Sequence, residues 1–331
     1  MYETKFHSED LSGKSFLITG GAGFIGSNIV EYLLKHHASK VRVLDNLLTG
    51  SRDNVEDFRE YPAFEFFEGD IRDLMICREA VQDIDYVLHQ AALGSVPRSL
   101  KEPEVTNSIN VDGFVNMLIA SKDEKVKRFV YASSSSVYGD SRDLPQIEDR
   151  IGKPLSPYAV SKYVNELYAK VFCDNYGLEV VGLRYFNVFG PRQSPKGAYA
   201  AVIPLFIHGL MHAQEVFING DGTQTRDFTF VENAVQANIL AAFTQNKKAI
   251  NQVFNVAVGD SYSVSQMHRM LREYTGIKAE PSHRESRQGE IMNSLADISK
   301  AKSLLGYEPQ IRFKDGLKKT VEYFRQKMPV K

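Results

Sequence analysis

An α/β fold built on a doubly wound parallel sheet, with a smaller C-terminal α/β lobe, is what this 331-residue sequence predicts. Three observations carry the prediction. Through the first half, short apolar runs alternate with stretches of helical spacing, the order expected of strand–helix–strand units. The runs are continuously apolar rather than apolar at every second residue, as strands covered by helices on both faces must be. After Arg184 the texture changes to longer loops and shorter runs.

The first run, residues 15–19, leads into Gly20-Gly21-Ala22-Gly23-Phe24-Ile25-Gly26 and then into the helical spacing Phe24, Ile25, Ile29, Val30, Leu33, Leu34. Glycines at 20, 23 and 26 suit a tight turn out of a strand, a close approach of backbone to a pyrophosphate, and close packing of helix on sheet. The unpaired N–H groups of the helix then face the phosphates. The second run, 41–44, ends at Asp45, about 20 residues after the last glycine. A carboxylate there accepts hydrogen bonds from the adenosine ribose and repels a 2′-phosphate, so the stretch predicts a Rossmann site for NAD rather than NADP. The plainer alternative makes Asp45 the cap of the following turn.

Further runs at 64–67, 86–89, 128–132 and 180–183 complete the strands of the first half. Between them, Val111, Phe114, Val115, Leu118 and Ile119 form one helical face, and Val164, Leu167, Tyr168, Val171 and Phe172 another. Residues 187–197 hold two prolines and two glycines and read as a long loop. Beyond it lie short strand-like runs at 215–218 and 253–256 and helical patterns near 232–244, 263–275 and 313–326. The division is therefore residues 1–184, mainly dinucleotide-binding, and 185–331, mainly a substrate lobe with some segments returning to the main sheet.

A hydrophobic share of 43%, a charged share of 24% and a net charge of −1 belong to an ordinary globular protein and imply no cationic field for nucleic acid or an acidic membrane. Two cysteines, Cys77 and Cys173, form neither a disulfide framework nor a metal motif and suit a reducing cytoplasm. The polar first 14 residues are no signal peptide, and no apolar run approaches the roughly 20 residues of a membrane span. His208 and His212 have helical metal-ligand spacing but no neighbouring acid, so they read as ordinary helix residues, and no metal is expected.

Ser156-Pro157-Tyr158-Ala159-Val160-Ser161-Lys162 opens the helix over 158–176 and sets Tyr158 and Lys162 one turn apart on one face. An ammonium group beside a phenol, and a bound nicotinamide cation, lower its pKa from about 10 toward neutrality. Such a tyrosine can take a proton from an alcohol while a hydride leaves the same carbon. Ser133, Ser134, Ser135 and Ser136 follow the strand at 128–132, and the C-terminal ends of parallel strands form the ligand crevice. A serine there relays the proton or holds the oxygen that becomes a carbonyl.

These motifs, with Gly69-Asp70, Gln90-Ala91-Ala92, Val137-Tyr138-Gly139 and Leu183-Arg184-Tyr185-Phe186-Asn187, resemble those of the extended short-chain dehydrogenase/reductases, and within them the nucleotide-sugar 4-epimerases, from about Ser15 to the last helix. The resemblance implies NAD on Gly20, Gly23, Phe24, Ile25 and Gly26, with Asp45 and Asn46 at the adenosine ribose and Asp70 and Ile71 near the adenine. It places Gln90, Ala91, Ala92 and Tyr185 along the cofactor, and Lys162 at its nicotinamide ribose beside Tyr158. Counting back from Val137, the family serine is Ser134, with Ser135 and Ser136 close enough to share its role. Relatives that dehydrate or decarboxylate carry an acid just before the Val-Tyr-Gly element; Ser136 stands there, so the implied reaction is oxidation at C4, rotation of the 4-keto sugar and hydride return.

For the sugar nucleotide the resemblance implies Asn187, the phosphate arginines Arg226 and Arg287, and Glu290 at the nucleotide ribose. The runs 91–99 and 197–204 resemble epimerases of the O-antigen type acting on UDP-N-acetylglucosamine, which implies sugar contacts from Gly94, Ser95, Arg98, Ala201 and Val202. Ser294 replaces the bulky tyrosine that crowds the sugar C2 in hexose-restricted relatives and leaves room for an N-acetyl group. The expectation is a polysaccharide-pathway UDP-N-acetylhexosamine 4-epimerase, its uronic acids included, paired into a homodimer by the helices at 104–122 and 158–176. The alternatives are another nucleotide-sugar oxidoreductase or epimerase acting on UDP-glucose or UDP-glucuronate, and a non-catalytic NAD-binding regulator.

Overall fold

The computed structural model describes residues 1–196, 200–285 and 292–327. Six apolar runs become strands β1 (Ser15–Thr19), β2 (Lys40–Asp45), β3 (Phe64–Glu68), β4 (Tyr86–His89), β5 (Arg128–Ser134) and β6 (Val180–Tyr185). A seventh strand, Gln252–Val256, comes from the C-terminal half and pairs with β6. The spatial order is β3-β2-β1-β4-β5-β6 and then Gln252–Val256, and every pair is parallel. The order reverses between β1 and β4, the switch point where a doubly wound sheet opens its crevice.

Successive side chains of a strand point to opposite faces, and each face has its own core. Phe16, Ile18, Val41, Val43, Leu88, Val130, Val181 and Leu183 pack under the helix Phe24–Lys35 and the helix Val231–Phe243. Leu17, Leu44, Val87, Phe129, Tyr131 and Val180 pack under helices Leu74–Val81, Gly113–Asp123 and Pro157–Tyr176. The helix Val231–Phe243 thus lies on the main sheet although it follows the change in sequence texture. A third core, with Phe189, Phe206, Phe228, Phe230, Met267 and Phe313, unites helices Val202–Met211, Val264–Thr275 and Phe313–Lys327 into the smaller lobe.

The N-terminal segment differs from its plain appearance in sequence. Tyr2, Phe6 and Leu11 are buried on the outside of the first helix: the Phe6 ring stacks on Tyr32 at 5.3 Å, and the Tyr2 hydroxyl donates to Asn28 Oδ1 at 2.7 Å. Apolar residues at 2, 6 and 11 follow no sustained period, which is why this strap is not legible in the residues alone. Within the 187–197 loop, Val188–Phe189 pairs in parallel with Thr229–Phe230 and fastens the loop to the lobe.

Candidate active site

A cleft of about 630 Å³ runs along the C-terminal ends of β1, β2, β4, β5 and β6. Its floor at one end is the glycine turn. Gly20 has φ +67°, and a Cβ there would lie 2.7 Å from the Ala91 nitrogen. A Cβ on Gly26 would overlap the Gly20 carbonyl oxygen. Only glycine lets this turn and the helix behind it close together. Asp45 Oδ2 accepts from Ala22 N at 2.9 Å and Oδ1 from Leu47 N at 2.8 Å, so the cap reading of Asp45 holds as far as it goes. A carboxylate has about four acceptor sites, so two backbone bonds leave capacity for ribose hydroxyls. Beside it, Asn46 Nδ2 donates to Asp70 Oδ2 at 2.8 Å, and the Arg72 guanidinium pulls the Asp70 carboxyl down to about 2.

In the middle of the cleft, Gln90, Tyr185 and Asn238 close a hydrogen-bonded ring. Tyr185 Oη donates to Gln90 Oε1 at 3.0 Å, Gln90 Nε2 to Asn238 Oδ1 at 3.0 Å, and Asn238 Nδ2 to Tyr185 Oη at 2.7 Å. Asn238 was not anticipated from the sequence. An asparagine among Ala234, Ala237 and Ala241 on a wholly buried helix was the available signal.

The far end holds the serine, tyrosine and lysine. Ser156 caps the helix Pro157–Tyr176, its Oγ accepting from Ala159 N at 3.1 Å, and Pro157 occupies the first turn, which aims Tyr158 and Lys162 at the end of β5. Ser134 starts the tight turn at Ser135–Tyr138, where its Oγ accepts from the Ser136 hydroxyl at 2.9 Å, and it lies close enough to Tyr158 to lower that phenol against burial. Lys162 is buried and donates to the Ala132 carbonyl at 2.7 Å. Ser133 also lines the cleft, and its hydroxyl donates to Glu166 Oε1 at 2.5 Å.

One expectation is corrected. Within the protein alone, burial raises the Tyr158 phenol above its ordinary value, opposed by Ser134, and Lys162 does not offset it. The same burial pulls the Lys162 ammonium down to about 8, with Glu166 opposing. Removal from water outweighs the attraction between phenolate and ammonium because both groups leave solvent together.

Gly94, Ser95, Arg98, Ser135, Ser136, Asn187 and Ala201 line the same cleft, joined by Leu48, Thr49, Gln193, Ser194 and Lys196, which had not been singled out. Loop residues without a periodic pattern give no signal until the chain is folded. Val202, Arg226 and Ser294 are not among the lining residues: Val202 opens a lobe helix, Arg226 Nη1 donates to the Thr225 carbonyl at 2.8 Å, and Ser294 N donates to Thr225 O at 3.1 Å. Arg287 and Glu290 lie outside the described residues. His208 and His212 stack on each other with ring centroids 4.1 Å apart, and no group of three metal-binding side chains occurs among the described residues.

Residues 16–257 match the NAD dependent epimerase/dehydratase family. The chain belongs to that family. Among similar solved structures is the UDP-N-acetylglucosamine 4-epimerase of Methanobrevibacter ruminantium, in complex with UDP-N-acetylmuramic acid: 38% identity, TM-score 0.90, 96% of this chain and 100% of that one. The UDP-glucose 4-epimerase of Thermotoga maritima, with UDP-glucose, is 37% identical with TM-score 0.89 over 95% and 99% of the two chains. The UDP-glucuronic acid 4-epimerase of Bacillus cereus, with UDP-glucuronic acid and NAD, is 34% identical with TM-score 0.87 over 94% and 99%. This epimerase is accordingly an NAD-dependent enzyme acting on nucleotide sugars at C4.

The glycine turn, closed to any Cβ, and the spare acceptor capacity of Asp45 fit the dinucleotide. NAD, when bound, supplies a hydride acceptor that later returns what it took.

Proposed function

We propose that this epimerase interconverts UDP-N-acetylglucosamine and UDP-N-acetylgalactosamine, and accepts their uronic acids. The reading is carried by the family resemblance, which sets Ser294 where hexose-restricted relatives have a tyrosine against the sugar C2; Ser294 is buried and outside the cleft lining described above, so its reach to the sugar belongs to the proposal. Space at Gly94, where a Cβ would meet no heavy atom within 4 Å, and the UDP-N-acetylmuramic acid held by the Methanobrevibacter neighbour support the same direction.

In this reading Tyr158, in the phenolate form that the positive charge of bound NAD would favour against burial, takes the proton from the sugar O4, Ser134 holds that oxygen, and Ser136 steadies Ser134. Tyr158 hands the proton back once the 4-keto sugar has turned its other face to the coenzyme. Lys162 holds the nicotinamide ribose. Asn187, Ala201, Val202, Arg226, Arg287 and Glu290 hold the nucleotide, and Gly94, Ser95 and Arg98 face the sugar. The protein works in the cytoplasm, in surface polysaccharide synthesis, as a homodimer. Supporting the last point, Val160, Leu167, Tyr168 and Val171 form an exposed apolar stripe on the helix Pro157–Tyr176.

The test is incubation of the purified protein, without added coenzyme, with UDP-N-acetylglucosamine, UDP-glucose and their uronic acids, followed by product separation. N-acetylated sugars should turn over fastest, and Ser294→Tyr should lower that turnover more than tenfold while leaving bound NAD unchanged. Faster turnover of UDP-glucose, the sugar nucleotide in the Thermotoga neighbour, would overturn the N-acetyl assignment.

A further inference from the structure

Behind the cleft lies a buried ion pair that the chemistry above does not use. Glu166 sits one helical turn beyond Lys162, and both its oxygens are engaged: Arg184 Nε donates to Oε1 at 2.8 Å, Arg184 Nη2 to Oε2 at 2.7 Å, and the Ser133 hydroxyl to Oε1 at 2.5 Å. Arg184 is anchored in turn, donating to the Glu148 carbonyl at 2.8 Å and lying 4.9 Å over the Tyr138 ring. Two consecutive residues at the end of β5, Ala132 and Ser133, are therefore bonded to two residues one turn apart on the tyrosine helix, Lys162 and Glu166. The next residue along β5 is Ser134.

We infer that Glu166 is a positioning residue for the coenzyme chemistry: through Ser133 it sets the register of Tyr158 against Ser134, and through space it keeps Lys162 charged. A buried ion pair by itself is weak evidence for stability. This one spans the strand bearing the serine, the helix bearing the tyrosine, and β6.

The groups around Lys162 leave this task to Glu166. From β4, His89 is pulled down to about 3 by burial and stays neutral in the working range. From β5, burial holds the Tyr131 phenol well up and uncharged. From β6, Arg184 is cationic and matched by Glu166. On the helix itself, Tyr158 is a neutral phenol. Against burial, which brings Lys162 to about 8, Glu166 is the anion among the described residues that acts in its favour.

The experiment measures NAD affinity by calorimetry from pH 6 to 10 on the full chain. Wild-type affinity should fall above about pH 8, as Lys162 loses its proton. Glu166→Gln should move that fall lower by about one pH unit, and Glu166→Asp, which keeps the charge, should restore it. A flat wild-type profile, or an unmoved midpoint in a folded Glu166→Gln protein, would overturn the electrostatic role. If Glu166→Gln does not fold because Arg184 is left unpaired, the double variant Glu166→Gln/Arg184→Gln removes both charges of the ion pair and reads the same Lys162 midpoint. Ser133→Ala keeps the ion pair; it should keep the midpoint and lower kcat roughly tenfold at unchanged KM, and a wild-type kcat there would overturn the register role. Because NAD binding is the readout for charge, an error over which sugar is turned over leaves that result intact and separately visible.

Discussion

The side-chain amide of Asn238 donates to the hydroxyl of Tyr185 at 2.7 Å, from the helix Val231–Phe243, well beyond the cofactor half of the sequence. Gln90 closes the ring, so the cleft's middle is held by a residue from neither flanking loop. Replacing Asn238 by Leu leaves the half-buried Gln90 amide without its acceptor, which costs about 1 kcal/mol. Urea denaturation should show that loss, and the variant should purify with less bound NAD than the wild type.

Gly26→Ala should cripple coenzyme binding, because the new methyl overlaps the Gly20 carbonyl oxygen and neither backbone can yield. Gly94→Ala is the matched control, since its methyl meets nothing within 4 Å. A fall in NAD affinity of a hundredfold or more for the first, about 3 kcal/mol, and a change under threefold for the second, are the expected calorimetric results.

Tyr158→Phe removes the hydroxyl that stands beside Ser134 and keeps the ring. Turnover of any accepted nucleotide sugar should drop by about 10²–10⁴, with NAD still bound. Full activity in this variant would remove Tyr158 from the proton transfer.

Asp227 is fully buried, and its carboxylate accepts from Val258 N and Gly259 N, both at 3.0 Å, and from Ala296 N at 3.3 Å. Burial still prevails and pushes it up to about 6. The folded protein therefore binds this proton more tightly than the unfolded chain, whose value is near 3.8. The resulting stabilisation is fully present below pH 3.8 and is lost as pH rises through about 6. Relative to Asp227→Asn, the wild type should gain about 2 kcal/mol between pH 7.5 and pH 4, read from denaturation midpoints at the two ends.

Leu167→Glu/Val171→Glu places two charges on the exposed stripe of the helix Pro157–Tyr176, where each side chain is 49% accessible. Sedimentation should show a dimer for the wild type and a monomer for the double variant, with the fold intact by circular dichroism. A wild-type monomer would remove the homodimer reading.

What the chain's order of residues determined by itself was the parallel sheet, the glycine turn, and the pairing of Tyr158 with Lys162. Each is a local pattern: an apolar run, a three-residue glycine period, a one-turn spacing. Glu166 was within the same reach, one further turn along from Lys162, although its spacing alone could not say that Arg184 and Ser133 would meet it. Folding decided the rest. It brought Asn238 under Gln90, laid Tyr2 and Phe6 over the first helix, and returned Gln252–Val256 to the sheet beside β6. It also set the protonation of the site, because the loss of water around Tyr158 and Lys162 depends on everything packed above them and on no motif that contains them.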